Sequence, residues 1–267
     1  MNSDTSQVKK ICFIGAPGCG KSTIYNSLLK FRRSKDWLTP EEAKLEIGRS
    51  YRKDRVSDIK MNIAGILLLH PVFFREKYSV LGNYALKNLY MKSFDMLRLK
   101  YNPLFKMALK GLEIEVEDPA SRMIASGFFL KLARDEMLIE YYSPGKPVLF
   151  DDSVWQSVRG IKHYPEGAAD GLSVSGLPVP DLVVHCFSGA DDIFRQIKKR
   201  SAEGKINTCH YSLSDDELYK SVERDIENAR LKAEHFASAG IPVLNINAGL
   251  NVNDCVKEAS GFINDHI

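Results

Sequence analysis

Residues 15–22 read Gly15-Ala16-Pro17-Gly18-Cys19-Gly20-Lys21-Ser22, and this is the most informative stretch of the chain. It matches the pattern G-x-x-x-x-G-K-[ST] of a phosphate-binding loop. Residues 11–14 before it are apolar and predict a buried strand, and residues 22–31 after it are typical of a helix. A strand, this loop and a helix in that order predict that the chain binds a nucleoside triphosphate.

Each part of the loop has an expected role at the nucleotide. The glycines let the backbone curl so that successive N–H groups face an anion, next to the positive end of the following helix. Lys21 is expected to reach the β- and γ-phosphates of ATP, and the Ser22 hydroxyl to join the shell of a Mg²⁺ ion. We therefore predict ATP and Mg²⁺ as cofactors, bound by residues 15–22 and the adjacent Thr23.

Length and composition are those of a globular α/β protein. The 267 residues can bury one full core, and a content of 44% hydrophobic and 27% charged residues is typical of soluble proteins. No apolar signal-peptide segment begins the chain, and its five cysteines include no C-x-x-C pair. These features predict a cytoplasmic protein with reduced thiols, without a disulfide framework or zinc site.

The charge is unevenly distributed along the chain. The net charge is +3, but residues 30–110 carry 18 lysines and arginines against 8 aspartates and glutamates, a net charge of +10 that leaves −7 elsewhere. A basic segment beside an ATP site suggests a small anionic acceptor, a polyanion or a membrane surface. A solvated helical face that only aids solubility is the alternative.

Four short apolar runs predict strands that helical patterns separate, which favours an α/β fold with a parallel sheet. A capping box at residues 214–217 predicts a helix that ends at Gly240, and a closing helix is expected at residues 251–263. We expect one domain over residues 1–267, with its core in residues 8–34 and 146–265. The predicted strands cover residues 11–14, 148–150, 182–186 and 243–246.

Residues 35–145 are expected to form a large helical insertion that shapes the acceptor pocket. Thr39-Pro40-Glu41-Glu42 predicts a helix start, because proline stands at the first helical position and a glutamate three residues past the cap. Residues 112–117 alternate like an edge strand but fit the end of a helix equally well. Residues 63–74 are apolar apart from one histidine but too few to span a bilayer, so a buried helix is expected, with contact to a membrane surface left open.

Two carboxylates, Asp151 and Asp152, follow the predicted strand at residues 148–150. Open α/β sheets bind their ligands at this end of their strands. A carboxylate there can hold the hydration shell of Mg²⁺ or accept the proton of an attacking hydroxyl. We expect Asp151, nearest the strand, to be the chief catalytic and metal-binding residue, and either Asp151 or Asp152 to assist the acceptor hydroxyl. Asp152 or Ser153 can instead cap the next helix.

Positive charge gathers at the end of the helix that follows the third predicted strand. Arg195 and Arg200 are expected to contact the transferring phosphates as parts of a mobile lid, because the planar guanidinium can bind several phosphate oxygens. Cations at a helix C-terminus also favour the helix dipole, and that alternative needs no ligand.

This ordered set of motifs resembles the P-loop nucleoside and nucleotide kinases, most closely thymidylate kinase and the deoxynucleoside kinases. The resemblance covers residues 8–31 and 146–265. It implies a three-layer sandwich with five parallel strands in the order 2-3-1-4-5, and transfer of the γ-phosphoryl group of ATP to a small acceptor. It also implies lid arginines at Arg195 and Arg200 and an adenine-flanking loop at Asn247. The segments that carry it are Phe150-Asp151-Asp152-Ser153-Val154-Trp155-Gln156-Ser157, Pro180-Asp181-Leu182-Val183-Val184 and Val243-Leu244-Asn245-Ile246-Asn247-Ala248-Gly249.

The chain departs from this family at the acceptor side. Asp152 stands where the family has arginine, no clear second strand with the acceptor-binding acid is found, and the insertion is larger. We therefore expect a nucleoside- or nucleotide-like acceptor, with a sugar or glycan acceptor in surface-polysaccharide metabolism as the alternative. The sequence leaves open whether the chain forms a homodimer.

Non-kinase functions find less support in the sequence. A regulatory P-loop NTPase is the rival class, but the Asn-Lys-x-Asp motif of GTPases and the Leu-Ser-Gly-Gly signature of ABC ATPases are both missing. Binding of nucleic acid is disfavoured, because no aromatic-basic recognition motif accompanies the basic segment.

Overall fold

A computed structural model of the chain describes residues 9–32, 36–53, 86–159, 177–204 and 213–267. Within these ranges the chain forms four strands and eight helices. In chain order they are β1 (Lys10–Ile14), α1 (Lys21–Phe31), α2 (Pro40–Lys53), α3 (Lys87–Glu115), α4 (Pro119–Tyr142), β2 (Val148–Phe150), α5 (Val154–Ser157), β3 (Leu182–Phe187), α6 (Ala190–Ala202), α7 (Asp215–Ser238), β4 (Val243–Asn247) and α8 (Val252–His266).

The four strands form one parallel sheet in the order β2-β1-β3-β4. All four coincide with the strands predicted from apolar runs. The first strand, β1, lies inside the sheet, where Ile11 pairs with Leu149 on one side and Leu182 on the other. A parallel sheet with helical connections confirms the predicted α/β class.

A single residue takes the place of the expected fifth strand. Leu38 forms an isolated parallel bridge with Val148, and its N–H donates to the carbonyl oxygen of Pro147 at 2.8 Å. Counting Leu38 as the missing member reproduces the order 2-3-1-4-5. The expectation of five strands is nevertheless wrong for the described residues, because Pro40 begins α2 two residues later and proline has no N–H for a sheet ladder.

Helices cover both faces of the sheet, and the alternation of side chains along β1 shows how. Ile11 and Phe13 pack with α1, α6 and α8, whereas Cys12 and Ile14 point to the opposite face. That face is covered by α2, α3, α4, α5 and the C-terminal half of α7, while the N-terminal half of α7 joins the cluster on the first face. The result is a three-layer sandwich in which burying each large apolar side chain contributes roughly 1.5–3 kcal/mol.

The predicted helix signals are found at the helix ends. The Ser214 side chain and Glu217 form the capping box of α7, and Gly240 follows that helix with a φ of 79°. At α2, the Thr39 N–H donates to Glu42 Oε2 at 2.9 Å, and the Glu42 N–H donates to Thr39 Oγ1 at 3.2 Å. Residues 112–115 continue α3, so the alternating segment ends a helix.

The described part of residues 35–145 is helical, as expected. Its three helices α2, α3 and α4 form part of the layer on one sheet face, so they belong to the core. Within the described ranges, no helix is both long and apolar enough to cross a membrane. Residues 63–74 lie outside the described residues.

Candidate functional site

The phosphate loop joins the end of β1 to the start of α1, as the motif predicts. Gly18 and Gly20 have φ angles of 90° and 102°, a region that glycine adopts without strain. Gly15 is buried so closely against β3 that a Cβ atom would lie 2.4 Å from the Cys186 carbonyl oxygen. The loop therefore has the geometry of an anion-binding turn at a helix N-terminus.

Lys21 joins the loop to the carboxylate pair at the end of β2. Its Nζ donates to the carbonyl oxygen of Asp151 at 2.5 Å, to Asp151 Oδ1 at 2.7 Å and to Asp152 Oδ1 at 3.2 Å. Burial by itself lowers the pKa of Lys21, but the two carboxylates outweigh it and raise that pKa above its ordinary value. Lys21 is therefore a charged group that links the loop to the end of β2.

Asp151 and Asp152 differ in their surroundings. The Asp151 side chain is 25% exposed and makes the closer contact with Lys21, whereas the Asp152 side chain is 50% exposed and lines a cavity beside the loop. The N-cap of α5 is Ser153, so neither aspartate caps that helix. Asp151 is thus turned toward the loop lysine and Asp152 toward the cavity.

Two cavities of nearly equal size flank the phosphate loop. Cavity A, of about 430 Å³, lies between the loop, α4 and α5, and cavity B, of about 420 Å³, lies between the loop, α6 and the start of α8. Gly18, Gly20 and Arg200 line both. The loop therefore forms a shared wall between two spaces that can each hold a small molecule.

Most of the predicted site residues line these cavities. The residues at cavity A are Ala16, Pro17, Gly18, Gly20, Lys21, Ser22, Asp152 and Arg200. Those at cavity B are Gly18, Cys19, Gly20, Thr23, Arg195 and Arg200. Gly15 and Asp151 line neither cavity. Gly15 is buried against β3, and Asp151 contacts Lys21.

Asn247 does not line cavity A or cavity B. Its Oδ1 accepts the N–H of Gly249 at 3.0 Å, which shapes the turn after β4. The residues that line cavity B from this turn are Ala248 and Gly249. A direct contact of Asn247 with the nucleotide stays a prediction.

Arg195 and Arg200 lie on α6, one inside the helix and one in its last turn. The Arg195 guanidinium pairs with Asp192, and both side chains are exposed at cavity B. Arg200 has no hydrogen bond or ion pair with the described part of the chain, and it faces both cavities. Their action as a lid stays a prediction, and residues 205–212 after the helix lie outside the described residues.

Several site residues were not predicted from the sequence. Ile124, Ala125 and Phe128 on α4 form an apolar wall of cavity A, and Gln156 lies between that cavity and the loop. The Gln156 carboxamide binds both backbone groups of Gly15. The α4 residues carry no local signal, because their distance from the loop along the chain hides their proximity in space.

The described residues hold no group of three or more histidine, cysteine, aspartate or glutamate side chains that could bind a metal ion by itself. The oxygen donors near the loop are the Ser22 hydroxyl, which is exposed at cavity A, and the carboxylates of Asp151 and Asp152. Mg²⁺ is usually bound by one or two carboxylates together with substrate phosphates and water. The donor set therefore fits Mg²⁺ that arrives with a nucleotide.

The parallel sheet, the helices on both faces and the phosphate loop after an internal strand define a P-loop NTPase fold. No protein-family model matches the chain, and neither does any curated protein. Two solved structures of deoxyadenosine kinase from M. mycoides are similar to it. The structure with bound dCTP is 13% identical with a TM-score of 0.42, and the structure with the products dCMP and a flexible dCDP is 12% identical with a TM-score of 0.45. Each comparison covers 96% of this chain and 99% of the other.

Proposed function

We propose that the protein is an ATP-dependent phosphotransferase that transfers the γ-phosphoryl group to a small nucleoside- or nucleotide-like acceptor. The observation that carries this proposal is the pair of cavities of similar volume that meet at Gly18, Gly20 and Arg200. A regulatory NTPase needs one nucleotide site, whereas a transferase has to hold two substrates in contact. The second cavity therefore supports a kinase over a switch.

Cavity B is the proposed site of the base and ribose of ATP. It extends from the phosphate loop to Ala248 and Gly249, and Gly20 approaches Ala248 so closely that a Cβ on Gly20 would lie 3.2 Å from it. A nucleotide in this cavity would direct its phosphates along the loop toward cavity A. Arg195 and Arg200 would then lie near the phosphates and neutralise part of their charge.

Cavity A is the proposed acceptor site. Ile124, Ala125 and Phe128 give it an apolar wall with an aromatic ring, while Lys21 and Asp152 lie at the end next to the loop. A flat heterocyclic base suits such a wall, because aromatic and apolar side chains stack on its faces. This wall supports a nucleoside-like acceptor over a sugar, and a hydroxyl on its ribose would then face Asp152.

The side chains around the loop suggest how transfer proceeds. Lys21 exchanges its bonds with Asp151 and Asp152 for the β- and γ-phosphates, and the freed Asp152 carboxylate accepts the proton of the acceptor hydroxyl. Ser22 and Asp151 would hold Mg²⁺, which supplies neutralisation of phosphate charge. A closed site would exclude water and so limit hydrolysis of ATP.

The test is a transfer assay with γ-labelled ATP, Mg²⁺ and a panel of nucleosides, nucleoside monophosphates, sugars and 5′-hydroxyl oligonucleotides. We expect label on a nucleoside or nucleotide and none with Lys21→Ala. Transfer only to a sugar would replace the acceptor class. ATP binding without transfer to any acceptor would support the regulatory NTPase instead.

A further inference from the structure

The short helix α5 connects the carboxylate pair to the phosphate loop. It begins two residues after Asp152 and ends at Ser157. Its first N–H, that of Val154, donates to Glu136 Oε1 of α4 at 2.5 Å. Its other end reaches the loop through the side chain of Gln156.

Gln156 binds Gly15 at two points. Its Nε2 donates to the Gly15 carbonyl oxygen at 2.8 Å, and its Oε1 accepts the Gly15 N–H at 3.3 Å. A carboxamide is the side-chain group that offers one donor and one acceptor side by side, so it matches the two backbone groups of one residue. A carboxylate in place of the Gln156 carboxamide would have no donor for the Gly15 carbonyl oxygen, and its own oxygen would face that carbonyl.

Gly15 is confined on its other side by β3. A Cβ atom there would lie 2.4 Å from the Cys186 carbonyl oxygen, so the backbone is pressed against that strand. The backbone of Gln156 is also held in place. The buried Lys232 of α7 donates from Nζ to the backbone carbonyl oxygen of Gln156 at 3.2 Å. Gly15, the first residue of the loop, is thus fixed between β3 and the Gln156 carboxamide.

We propose that Gln156 is a positioning residue that clamps the entry of the phosphate loop and fixes its distance from the Asp151–Asp152 pair. Gly15 sets the direction in which the following loop amides point. Because Gln156 and the two aspartates belong to one short segment, the clamp holds loop and carboxylates as one unit. Its effect on catalysis rests on the proposed function, but its effect on the order of the loop does not.

The experiment compares Gln156→Met with Trp155→Phe. The methionine keeps the approximate volume of glutamine and removes both bonds to Gly15. Trp155 lies beside Gln156 in α5, and its indole Nε1 donates to Pro178 O at 3.0 Å, so the phenylalanine removes one buried bond of α5 and leaves the clamp intact. Gln156→Asn, one methylene too short to reach Gly15, is a second test variant.

The first readout is hydrogen exchange of the Gly15 amide by NMR, and the second is the Kd for a fluorescent ATP analogue. We expect both Gln156 variants to exchange this amide at least about tenfold faster, because an N–H without its acceptor loses protection. We also expect the Kd to rise about tenfold, since two hydrogen bonds that order the loop are lost. Trp155→Phe should leave the exchange rate and the Kd within about twofold of wild type. This should hold even if its melting temperature falls as much as those of the Gln156 variants.

Wild-type exchange at Gly15 in either folded Gln156 variant overturns the clamp. Equal changes in Trp155→Phe also overturn it, because general loosening of α5 would then explain them. If the wild-type protein binds no ATP analogue, the proposed function fails, and faster exchange at Gly15 still supports the clamp. If binding is retained and only exchange changes, the clamp orders the loop but its link to the nucleotide is refuted.

Discussion

Lys21 holds Asp151 through two atoms, with its Nζ 2.5 Å from the carbonyl oxygen and 2.7 Å from the Oδ1 of that residue. The lysine of the phosphate loop and the acid at the end of β2 are therefore in direct contact. A bound triphosphate has to compete with this pair for the ammonium group. The same exchange would release the carboxylates for other partners.

Replacing Lys21 with alanine is expected to reduce phosphoryl transfer at least about 100-fold, because a preorganised charge at the transferring group is lost. The measurement is kcat with the acceptor found in the transfer assay, together with the Kd for ATP by calorimetry. The control is Lys9→Ala, whose amine lies at the C-terminal end of α8, where it donates to His266 O at 2.7 Å. Wild-type turnover of a folded Lys21→Ala variant would show that the loop is not the donor site.

Replacing Asp152 or Asp151 with asparagine is expected to change the kinetics in two different ways. Asp152→Asn should lower kcat about 10²–10⁴-fold with little change in ATP affinity, because it removes the proposed proton acceptor that faces cavity A. Asp151→Asn should chiefly raise the Mg²⁺ concentration needed for half-maximal rate. Steady-state kinetics over a Mg²⁺ series separates the two, and the reverse pattern would exchange the two roles.

The apolar wall of cavity A gives a specific prediction for the acceptor. Phe128→Ala should raise the KM of a nucleoside acceptor about tenfold and leave the KM of ATP unchanged, because the lost stacking surface lies in cavity A alone. Leu130→Ala is the matched control, since Leu130 is a half-exposed apolar residue of the same helix that lines neither cavity. Equal effects on both Michaelis constants would argue against separate sites for the two substrates.

Arg200 is expected to affect both substrates because it lines both cavities. Arg200→Gln should lower kcat about tenfold or more, since its guanidinium would lie where charge develops on the transferring group. Lys199→Gln removes a neighbouring exposed charge of the same helix that neither cavity includes, and should leave kcat near wild type. An equal loss in both variants would mean that general positive charge on α6 is what matters.

The buried carboxyl group of Glu136 is expected to make the stability of the fold depend on pH. Burial is the main cause that raises its pKa from 4.5 to about 7, against the opposing effects of Lys10 and the Val154 N–H. Between pH 4.5 and about 7, Glu136 keeps its proton in the folded chain but has lost it in the unfolded chain. The free energy of unfolding therefore falls as pH rises through this range. The other titratable groups whose charges act on this site are Cys12, Tyr101, Asp135 and Glu140.

Glu136→Gln isolates this effect, because the amide oxygen still accepts the Val154 N–H but does not titrate. We expect the variant to gain stability relative to wild type as pH rises from about 4.5 to 7, measured by urea unfolding at several pH values. Above that range the difference should level off. A difference that stays constant with pH would mean that Glu136 is ionised in the folded protein throughout.

Local signals account for what could be predicted at the loop and the strands. Residues 15–22 specify their own conformation through glycines and a following helix, and the four strands follow from short apolar runs with polar borders. The helix start at Thr39 was predictable for the same reason, since its capping side chains are three residues apart. Such signals act within a few residues, where the chain's neighbours in sequence are also its neighbours in space.

Contacts between segments that are distant along the chain follow from the packing of the whole fold, not from any local pattern. The phosphate loop, the parallel α/β class and the acids at the end of β2 were all predictable from local sequence patterns. The sequence did not show that Phe128 lines the cavity beside the loop, that Gln156 forms hydrogen bonds with Gly15, or that Leu38 forms an isolated bridge to β2. Those outcomes depend on how the helices pack over the sheet, because packing is a collective choice of many side chains that no short pattern encodes.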